Sequence, residues 1–252
     1  MIKSKYLQKI KNLKHGFFNS IGGRSKNIYK SLNCGPGSKD LPASVKQNLE
    51  IVKNKINNVA EDIFLLNQVH GNKFIFIDKK YKIKKKPRAD AVITNQKKIP
   101  IAVLTADCVP ILICDHKKEM IAAIHAGWKG AHKNIIRKVL KFMFKKGCKP
   151  QHIVAAIGPS ISVKNYEVKE DFRKKFIKKN KKTLKYFKNN KNKLYFNLPK
   201  YVYSLLLENK IKKIETIKID TFDIKNKFFS ARRAISLNRD DYGRNISIIM
   251  LN

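Results

Sequence analysis

Residues 101–130, IAVLTADCVPILICDHKKEMIAAIHAGWKG, form the most apolar part of the chain and decide its fold. Three runs in this stretch, Ile101–Thr105, Val109–Cys114 and Met120–His125, have the length and composition of β-strands. They are apolar throughout instead of alternating between apolar and polar residues. Because successive side chains of a strand point to opposite faces, such runs are expected where both faces of a sheet are covered. The stretch therefore predicts neighbouring strands buried between other layers of the protein.

Outside this stretch the chain continues to mix strand and helix patterns. Further strands are predicted over Ile63–Val69, Phe74–Asp78, Ala91–Thr94, His152–Ile157, Glu215–Asp220 and Asn245–Leu251. Helices are predicted over residues 42–58, Trp128–Lys146, Lys169–Lys179 and Pro199–Asn209, where apolar residues recur at helical spacing. No change of composition marks a boundary between domains. We therefore expect a single α+β domain over residues 1–252, with mixed β-sheets.

Composition excludes wholesale disorder but does not identify a function. The chain has 252 residues, 43% of them hydrophobic, which is enough to build a substantial core. Its 56 basic and 18 acidic residues give a net charge of +38, a value that first points to nucleic acid. Only eight of the basic residues are arginine, however, and the lysines occur along almost every segment. We interpret the charge as a lysine-coated surface, which would bind nucleic acid only non-specifically.

Residues 173–193 concentrate this charge, since 11 of the 21 are basic. The segment is expected to be a frayed helix end followed by a mobile loop. A polyanion-binding arm is the alternative, which sparse aromatic residues make less favoured.

The sequence also bears on location. No apolar stretch is long enough for a transmembrane helix, and the N-terminus lacks the apolar core of a secretory signal. The four cysteines, Cys34, Cys108, Cys114 and Cys148, show no paired spacing. We expect a soluble cytoplasmic protein with free thiols.

Reactive side chains occur in three segments: residues 67–71, NQVHG; residues 105–110, TADCVP; and residues 125–130, HAGWKG. Asp107 and Cys108 lie inside the most apolar region. A charged residue is unexpected there, because burying a charge without a partner is costly. If the fold brings the segments together, His70, Cys108 and His125 could ligate a metal. Two imidazoles and one thiolate would leave zinc an open fourth position, as in catalytic sites. The spacing alone leaves this open, because a lone histidine at a strand end is usually not a ligand.

These segments also carry a resemblance. The motifs NQVHGN, RADAVIT, TADCVPILICD and AAIHAGWKGA, in this order, resemble those of the YfiH-type family, also labelled polyphenol oxidoreductase or laccase-like, and purine nucleoside phosphorylase. The resemblance extends to HGFFNSIGGRS near the N-terminus and to FFSARR and GRNISIIML near the C-terminus, and so covers nearly the whole chain. It implies one YfiH-like domain in which mixed β-sheets lie between helices, as α/β/β/α layers.

The resemblance also implies a metal site and an activity. The family's ligands fall on His70, Cys108 and His125, with zinc as the expected metal and copper as a possible one. The implied activity is phosphorolysis of adenosine, guanosine, inosine and methylthioadenosine, together with deamination of adenosine. Purine nucleosides and phosphate are then the expected small-molecule partners, without a membrane partner.

Further residues are candidates for catalysis and substrate binding. Cys108, His125 and His70 are the candidate catalytic residues. Asp107 is the candidate for orienting a ligand or moving protons, and the leading alternative is that it only forms hydrogen bonds behind the ligands. Phosphate needs cations, for which the candidates are Arg24, Lys129, Arg232 and Arg233.

Three other functions remain open at this point. In a metal-free cysteine hydrolase, Cys108 would be the nucleophile and His125 or His70 the base, acting on L-Ser-containing peptidoglycan precursors. A laccase-like copper oxidoreductase is the second alternative. A nucleic-acid-binding protein is the remotest, since charge does not explain the TADC and HAGWKG motifs.

Overall fold

In a computed structural model, which describes residues 1–81 and 86–252, strands and helices alternate along the chain. The strands are β1 (Leu13–Phe17), β2 (Phe74–Ile77), β3 (Ala91–Thr94), β4 (Ile101–Thr105), β5 (Val109–Asp115), β6 (Met120–Ala126), β7 (Ile153–Ile157), β8 (Glu167–Val168), β9 (Phe187–Asn190), β10 (Lys193–Phe196), β11 (Lys213–Thr216) and β12 (Asn245–Leu251). The helices are α1 (Pro42–Ile56), α2 (Trp128–His132), α3 (Ile135–Lys145), α4 (Glu170–Lys179), α5 (Leu198–Glu208) and α6 (Ala231–Ser236).

A six-stranded mixed sheet occupies the centre, in the order β11-β7-β5-β6-β3-β2. β5 is antiparallel to both of its neighbours, whereas the outer pairs β11–β7 and β3–β2 are parallel. Pro110 at the start of β5 lies opposite His125 near the end of β6. This register brings the residue before β5, Cys108, next to His125.

Both faces of the central sheet are buried, as the apolar runs predict. Ile111 and Ile113 of β5 face the core beneath α3 and α5, and Leu112 and Cys114 face the opposite way. On that second side lies a three-stranded antiparallel sheet in the order β1-β12-β4.

The three-stranded sheet separates two cores in the same way. Ile249 of β12 packs toward the central sheet, and Ile248 and Met250 pack toward α1. The order of layers is therefore helices, six-stranded sheet, three-stranded sheet and helix. The predicted α+β fold, with mixed sheets between helices in a single domain, is confirmed.

The predicted strand Ile63–Val69 is wrong as a continuous strand. Within residues 1–81 and 86–252 it forms only single bridges, from Phe64 to Ile101 and from Asn67 to Arg88. At Gln68 the side chain takes the place of the backbone: its amide donates to the Leu104 carbonyl at 2.8 Å, and its oxygen accepts from the Leu104 N–H at 2.7 Å. A side-chain contact therefore replaces the regular ladder beside β4.

The predicted helix Trp128–Lys146 is divided into α2 and α3. Asn134 adopts a left-handed conformation, with φ of 63°, and ends the run of helical dihedrals. The apolar face predicted for this segment is nevertheless buried, because Ile135, Val139 and Met143 all pack against the central sheet.

Residues 173–193 are ordered, so the predicted mobile loop is wrong. The segment contains most of α4, a 3₁₀ helix over Lys181–Tyr186 and β9, which pairs with β10 in a small sheet. Phe176, fully buried, explains the order because it packs against Phe187 and Phe196. Those aromatic side chains anchor a segment whose lysines remain exposed.

The remaining predicted elements are confirmed with small shifts of their ends, except that β11 starts earlier and covers only the first two residues of Glu215–Asp220. The structure adds β1, β8, β9, β10 and α6, which the patterns do not predict. In the part of the chain that the structure describes, no helix is long and apolar enough to cross a bilayer.

Candidate metal centre

His70, Cys108 and His125 meet at one end of the central sheet. One possible ligand atom from each residue lies within 4.8 Å of those of the other two. Cys108 precedes β5, His125 belongs to β6, and His70 lies in the loop before β2. The two imidazole rings meet edge to face, with centroids 4.8 Å apart. The predicted convergence of these three residues is therefore confirmed in the geometry.

Two glycines of HAGWKG allow this approach. A Cβ atom on Gly127 would lie 2.9 Å from the Cys108 sulfur and 3.1 Å from Cδ2 of His70. A Cβ atom on Gly130 would lie 2.7 Å from the Gly71 carbonyl oxygen. The motif lacks side chains where it contacts the cluster and its supporting loop.

Asp90, which is not among the residues predicted from the sequence, connects two members of the cluster. Its carboxylate contacts Nδ1 of His125 at 2.9 Å and accepts hydrogen bonds from the backbone N–H groups of His70 (2.9 Å) and Gly71 (2.6 Å). Its side chain is fully buried. The available signal was a charged residue just before the apolar run AVIT, the same anomaly that drew attention to Asp107.

The electrostatics favour a thiolate. Burial alone would raise the pKa of Cys108, but His125 and hydrogen bonds from both histidines lower it to about 6. Burial would lower the pKa of His125, whereas the Cys108 thiolate and Asp90 raise it. Burial also opposes ionisation of Asp90, yet its hydrogen bond to His125 keeps its pKa below the usual value.

The donor set fits a metal ion. One thiolate and two imidazoles are ligands that zinc accepts and that copper also binds. Asp90 on Nδ1 of His125 is the carboxylate–imidazole contact that commonly orients a metal-binding histidine. The residues therefore support a bound metal without determining which one.

A cavity of about 480 Å³ opens onto the cluster. Its other walls include Lys86, Gln68, Tyr242 and Arg244, together with the Gly35–Gly37 turn. Among the described lining residues, no aspartate or glutamate is present. The cationic side chains of the described lining are therefore Lys86 and Arg244, and Arg244 is also paired with the Asp241 carboxylate.

Arg244 is the cation that sequence reasoning missed. Its guanidinium stacks on the Tyr242 ring at 4.3 Å, and its Nη1 donates to Asp241 at 2.8 Å. The backbone N–H of Arg244 donates to Asn33, 211 positions earlier in the chain. The GR pair in the C-terminal motif was visible in the sequence, but nothing local placed it beside the cluster.

Asp107 faces the C-terminal segments. Its carboxylate accepts hydrogen bonds from Thr221 (2.6 Å), Ser230 (2.9 Å) and the backbone N–H of Arg232 (2.9 Å). Burial raises the pKa of this carboxyl despite those three donors. These contacts tie Asp107 to the C-terminal segments that carry Thr221 and Ser230.

The four cations predicted to bind phosphate lie outside the described lining of this cavity. Arg24 and Lys129 are exposed. The guanidinium of Arg233 is engaged in hydrogen bonds to the backbone carbonyls of Thr221, Phe222 and Phe228. Arg232 donates to the Glu167 carbonyl at 3.0 Å and lies over the Tyr166 ring.

Comparison with known proteins covers nearly the whole chain. Residues 14–252 match the family described as multi-copper polyphenol oxidoreductase laccase. A purine nucleoside phosphorylase of Rickettsia conorii is 38% identical over 203 residues, covering 78% of this chain and 82% of that protein. A purine nucleoside phosphorylase of Bacteroides thetaiotaomicron is 33% identical over 186 residues, covering 71% of this chain and 69% of that protein.

Solved structures share the fold. YfiH of Bacillus licheniformis superimposes with a TM-score of 0.88 at 25% identity, covering 97% of this chain and 95% of that one. Protein NMB0706 of Neisseria meningitidis gives a TM-score of 0.83 at 28% identity, covering 96% of this chain and 95% of that one.

Proposed function

The chain belongs to the YfiH-type family, described as multi-copper polyphenol oxidoreductase laccase, and on this basis we propose that it is a zinc-dependent purine nucleoside phosphorylase. The proposed substrates are adenosine, guanosine, inosine and methylthioadenosine, with phosphate as the second substrate. Deamination of adenosine is proposed as a second reaction of the same site. The names of the relatives support the first reaction at the level of the enzyme class.

The observation that carries the proposal is the charge of the cavity beside the cluster. A phosphorylase must hold an inorganic phosphate next to the ribose, whereas a hydrolase needs only water. Arg244 and Lys86 line the cavity, and no carboxylate lines its described part. The cavity is therefore suited to an anionic second substrate.

Arg244 is the residue best arranged to hold phosphate. Asp241 and the Tyr242 ring fix its guanidinium, so little side-chain entropy is lost when an anion binds. Among the described residues, only Nη1 of its guanidinium makes hydrogen bonds, which leaves Nη2 and Nε as donors for a ligand. We propose that Arg244 binds the phosphate and that Lys86 supplies a second positive charge beside it.

In the proposed reaction, a phosphate oxygen forms a bond to C1′ of the ribose while the bond from C1′ to the purine nitrogen breaks. The purine leaves with the bonding electron pair and takes up a proton, and ribose 1-phosphate is the other product. A zinc ion held by His70, Cys108 and His125 would supply a Lewis acid at this end of the cavity. Asp90 keeps the imidazole of His125 in one orientation, and Gln68 fixes the loop that carries His70 to β4.

The test is a phosphate-dependent inosine assay with Arg244→Gln. We expect KM for phosphate to rise by about tenfold to a hundredfold, because a charged hydrogen-bonding partner is lost. KM for inosine should change little. Arg137→Gln, on the exposed face of α3, is the matched control and should leave both constants unchanged. The proposal fails if the unmodified, zinc-loaded protein releases no hypoxanthine from inosine.

A second candidate function is amide hydrolysis, favoured by one observation. Asp90, His125 and Cys108 have the arrangement of a carboxylate–imidazole–thiolate triad, with Asp90 on Nδ1 of His125. Cys108 would attack a carbonyl carbon, such as that of an L-Ser amide in a peptidoglycan precursor, and the amine would leave with a proton from His125. Water, giving a proton back to His125, would then hydrolyse the thioester, releasing the carboxylic acid and the Cys108 thiolate.

Chelation separates the two functions. Removal of metal should abolish phosphorolysis of inosine but should leave amide hydrolysis intact. Activity on inosine that survives complete removal of metal would overturn the zinc-dependent proposal, and amide cleavage by the metal-free protein would support the triad.

A further inference from the structure

A second and larger cavity lies at the other end of the central sheet. Its volume is about 710 Å³, compared with about 480 Å³ for the cavity beside the cluster. It opens where β5 ends and β7 and β11 begin, and Cys114 contributes to its wall. Because Cys108 and Cys114 are six residues apart along an extended strand, the two cavities are separated by about 20 Å. We call it the strand-end cavity.

The floor of the strand-end cavity is apolar. It is formed by Val154, Leu251 and Cys114, which are buried in the core between the two sheets, and by half-buried Ile10. Burial raises the pKa of the Cys114 thiol far above its usual value, so this residue contributes an apolar surface and no charge.

The rim is cationic. Lys9, Lys11, Lys212 and Lys213 line it, and none of these four ammonium groups forms an ion pair within residues 1–81 and 86–252. The acidic residue at the rim, Glu119, lies 3.9 Å from Lys97. Positive charge therefore exceeds negative charge at the entrance.

The N-terminal wall of the cavity is held in place. Ser4 donates from its hydroxyl to Glu215 at 2.6 Å, and the backbone N–H of Tyr6 donates to the same carboxylate at 3.0 Å. The backbone N–H of Ser4 also donates to Nε2 of His15 at 2.8 Å. The segment that carries Lys9 and Lys11 is thus tied to β11 and β1, and the cavity is part of the folded structure.

We propose that the strand-end cavity binds an amphipathic organic anion. Its acidic group would contact the lysines of the rim, and its apolar body would cover Val154, Leu251 and Ile10. The volume suits a ligand of the size of a cofactor or a small drug. An inorganic anion alone would leave the apolar floor unused.

The probe for this site is 8-anilinonaphthalene-1-sulfonate, an aromatic anion whose fluorescence rises in an apolar environment. We expect one bound probe per chain. Lys212→Glu with Lys213→Glu should weaken its binding by about tenfold, because a charged contact to the sulfonate is replaced by repulsion. Lys138→Glu with Lys141→Glu makes the same change of net charge on the exposed face of α3, away from the strand-end cavity, and should have little effect.

Two further measurements place the probe. Val154→Phe, which adds a ring at the floor, should abolish binding of the probe in protein that retains its circular dichroism spectrum. Inosine and phosphate together should not displace the probe, since they belong to the other end of the sheet. Equal effects of the two lysine pairs, or displacement by inosine and phosphate, would overturn the proposal.

Discussion

Asp90 shows how one buried carboxylate organises the candidate metal centre. It contacts Nδ1 of His125 in the central sheet and caps the backbone of the loop that carries His70. The backbone N–H of His125 also donates to the Asp90 carbonyl at 2.8 Å. Two of the three predicted ligands therefore depend on a residue that is itself not a ligand, which is the usual role of carboxylates behind metal-binding histidines.

Gly127 provides a test at the scale of a single residue. Gly127→Ala should weaken zinc binding, because the new Cβ would lie 2.9 Å from the Cys108 sulfur and must displace it. Overpacking of this kind costs about 1–3 kcal/mol. A chelator competition titration measures the loss of zinc affinity, and urea unfolding measures the loss of stability.

Gly37→Ala is the matched control for Gly127→Ala. Among the residues that the structure describes, no atom outside its neighbours lies within 4 Å of a Cβ at Gly37, so zinc affinity and unfolding should both stay unchanged. Unchanged zinc affinity in Gly127→Ala would show that the close contact does not govern the ligand geometry.

At the scale of helices and strands, the spacing of apolar residues predicts which face is buried but not whether the element is continuous. The apolar face of residues 128–146 was predicted correctly, yet the chain there forms two helices that meet at Asn134. Likewise, the order of the lysine-rich residues 173–193 was not predicted. A count of charges does not show that Phe176 and Phe187 pack with Phe196 of a later strand. Contacts between elements decided both cases.

Asn134 provides a test at the scale of an element. Asn134→Ala should lower the free energy of unfolding by about 1 kcal/mol, because alanine is strained at a φ of 63°. Asn134→Gly should cost less, since glycine adopts this conformation freely. Both variants lose the same contact with Lys179, so their difference in urea unfolding isolates the backbone conformation. Equal unfolding energies would show that the left-handed residue is not strained.

The whole molecule stacks two sheets between helices, and β1 and the N-terminal segment close one side of that stack. His15 of β1 is buried there and accepts a hydrogen bond from the Ser4 backbone. Burial, with a smaller contribution from Lys3, lowers its pKa to about 4 from the ordinary value of 6.5. The folded protein therefore keeps this imidazole neutral where the unfolded chain would protonate it.

The lowered pKa of His15 predicts that the stability of the folded protein depends on pH. Because the unfolded state binds the extra proton, stability from His15 is present above pH 6.5 and is lost as pH falls toward 4. Between pH 7 and pH 5 the loss is about 2 kcal/mol in the free energy of unfolding, measured with urea. His15→Gln should flatten this dependence, whereas His152→Gln, at a half-exposed histidine, should retain it. If the His15→Gln protein lost the same free energy of unfolding between pH 7 and pH 5, His15 would not be the cause of the pH dependence.

The sequence by itself determined the buried strands, because runs that are apolar at every position need two covered faces. It also marked His70, Cys108 and His125 as candidates, and the resemblance of their motifs to the family, not their spacing, made them the expected ligands. Only the tertiary structure decided which cations and carboxylates join them. The backbone N–H of Arg244 donates a hydrogen bond to Asn33, 211 positions away in the chain. Asp107 accepts a hydrogen bond from Thr221, 114 positions away. Such partners are chosen by the packing of sheets and loops, which the pattern of residues along one segment does not contain.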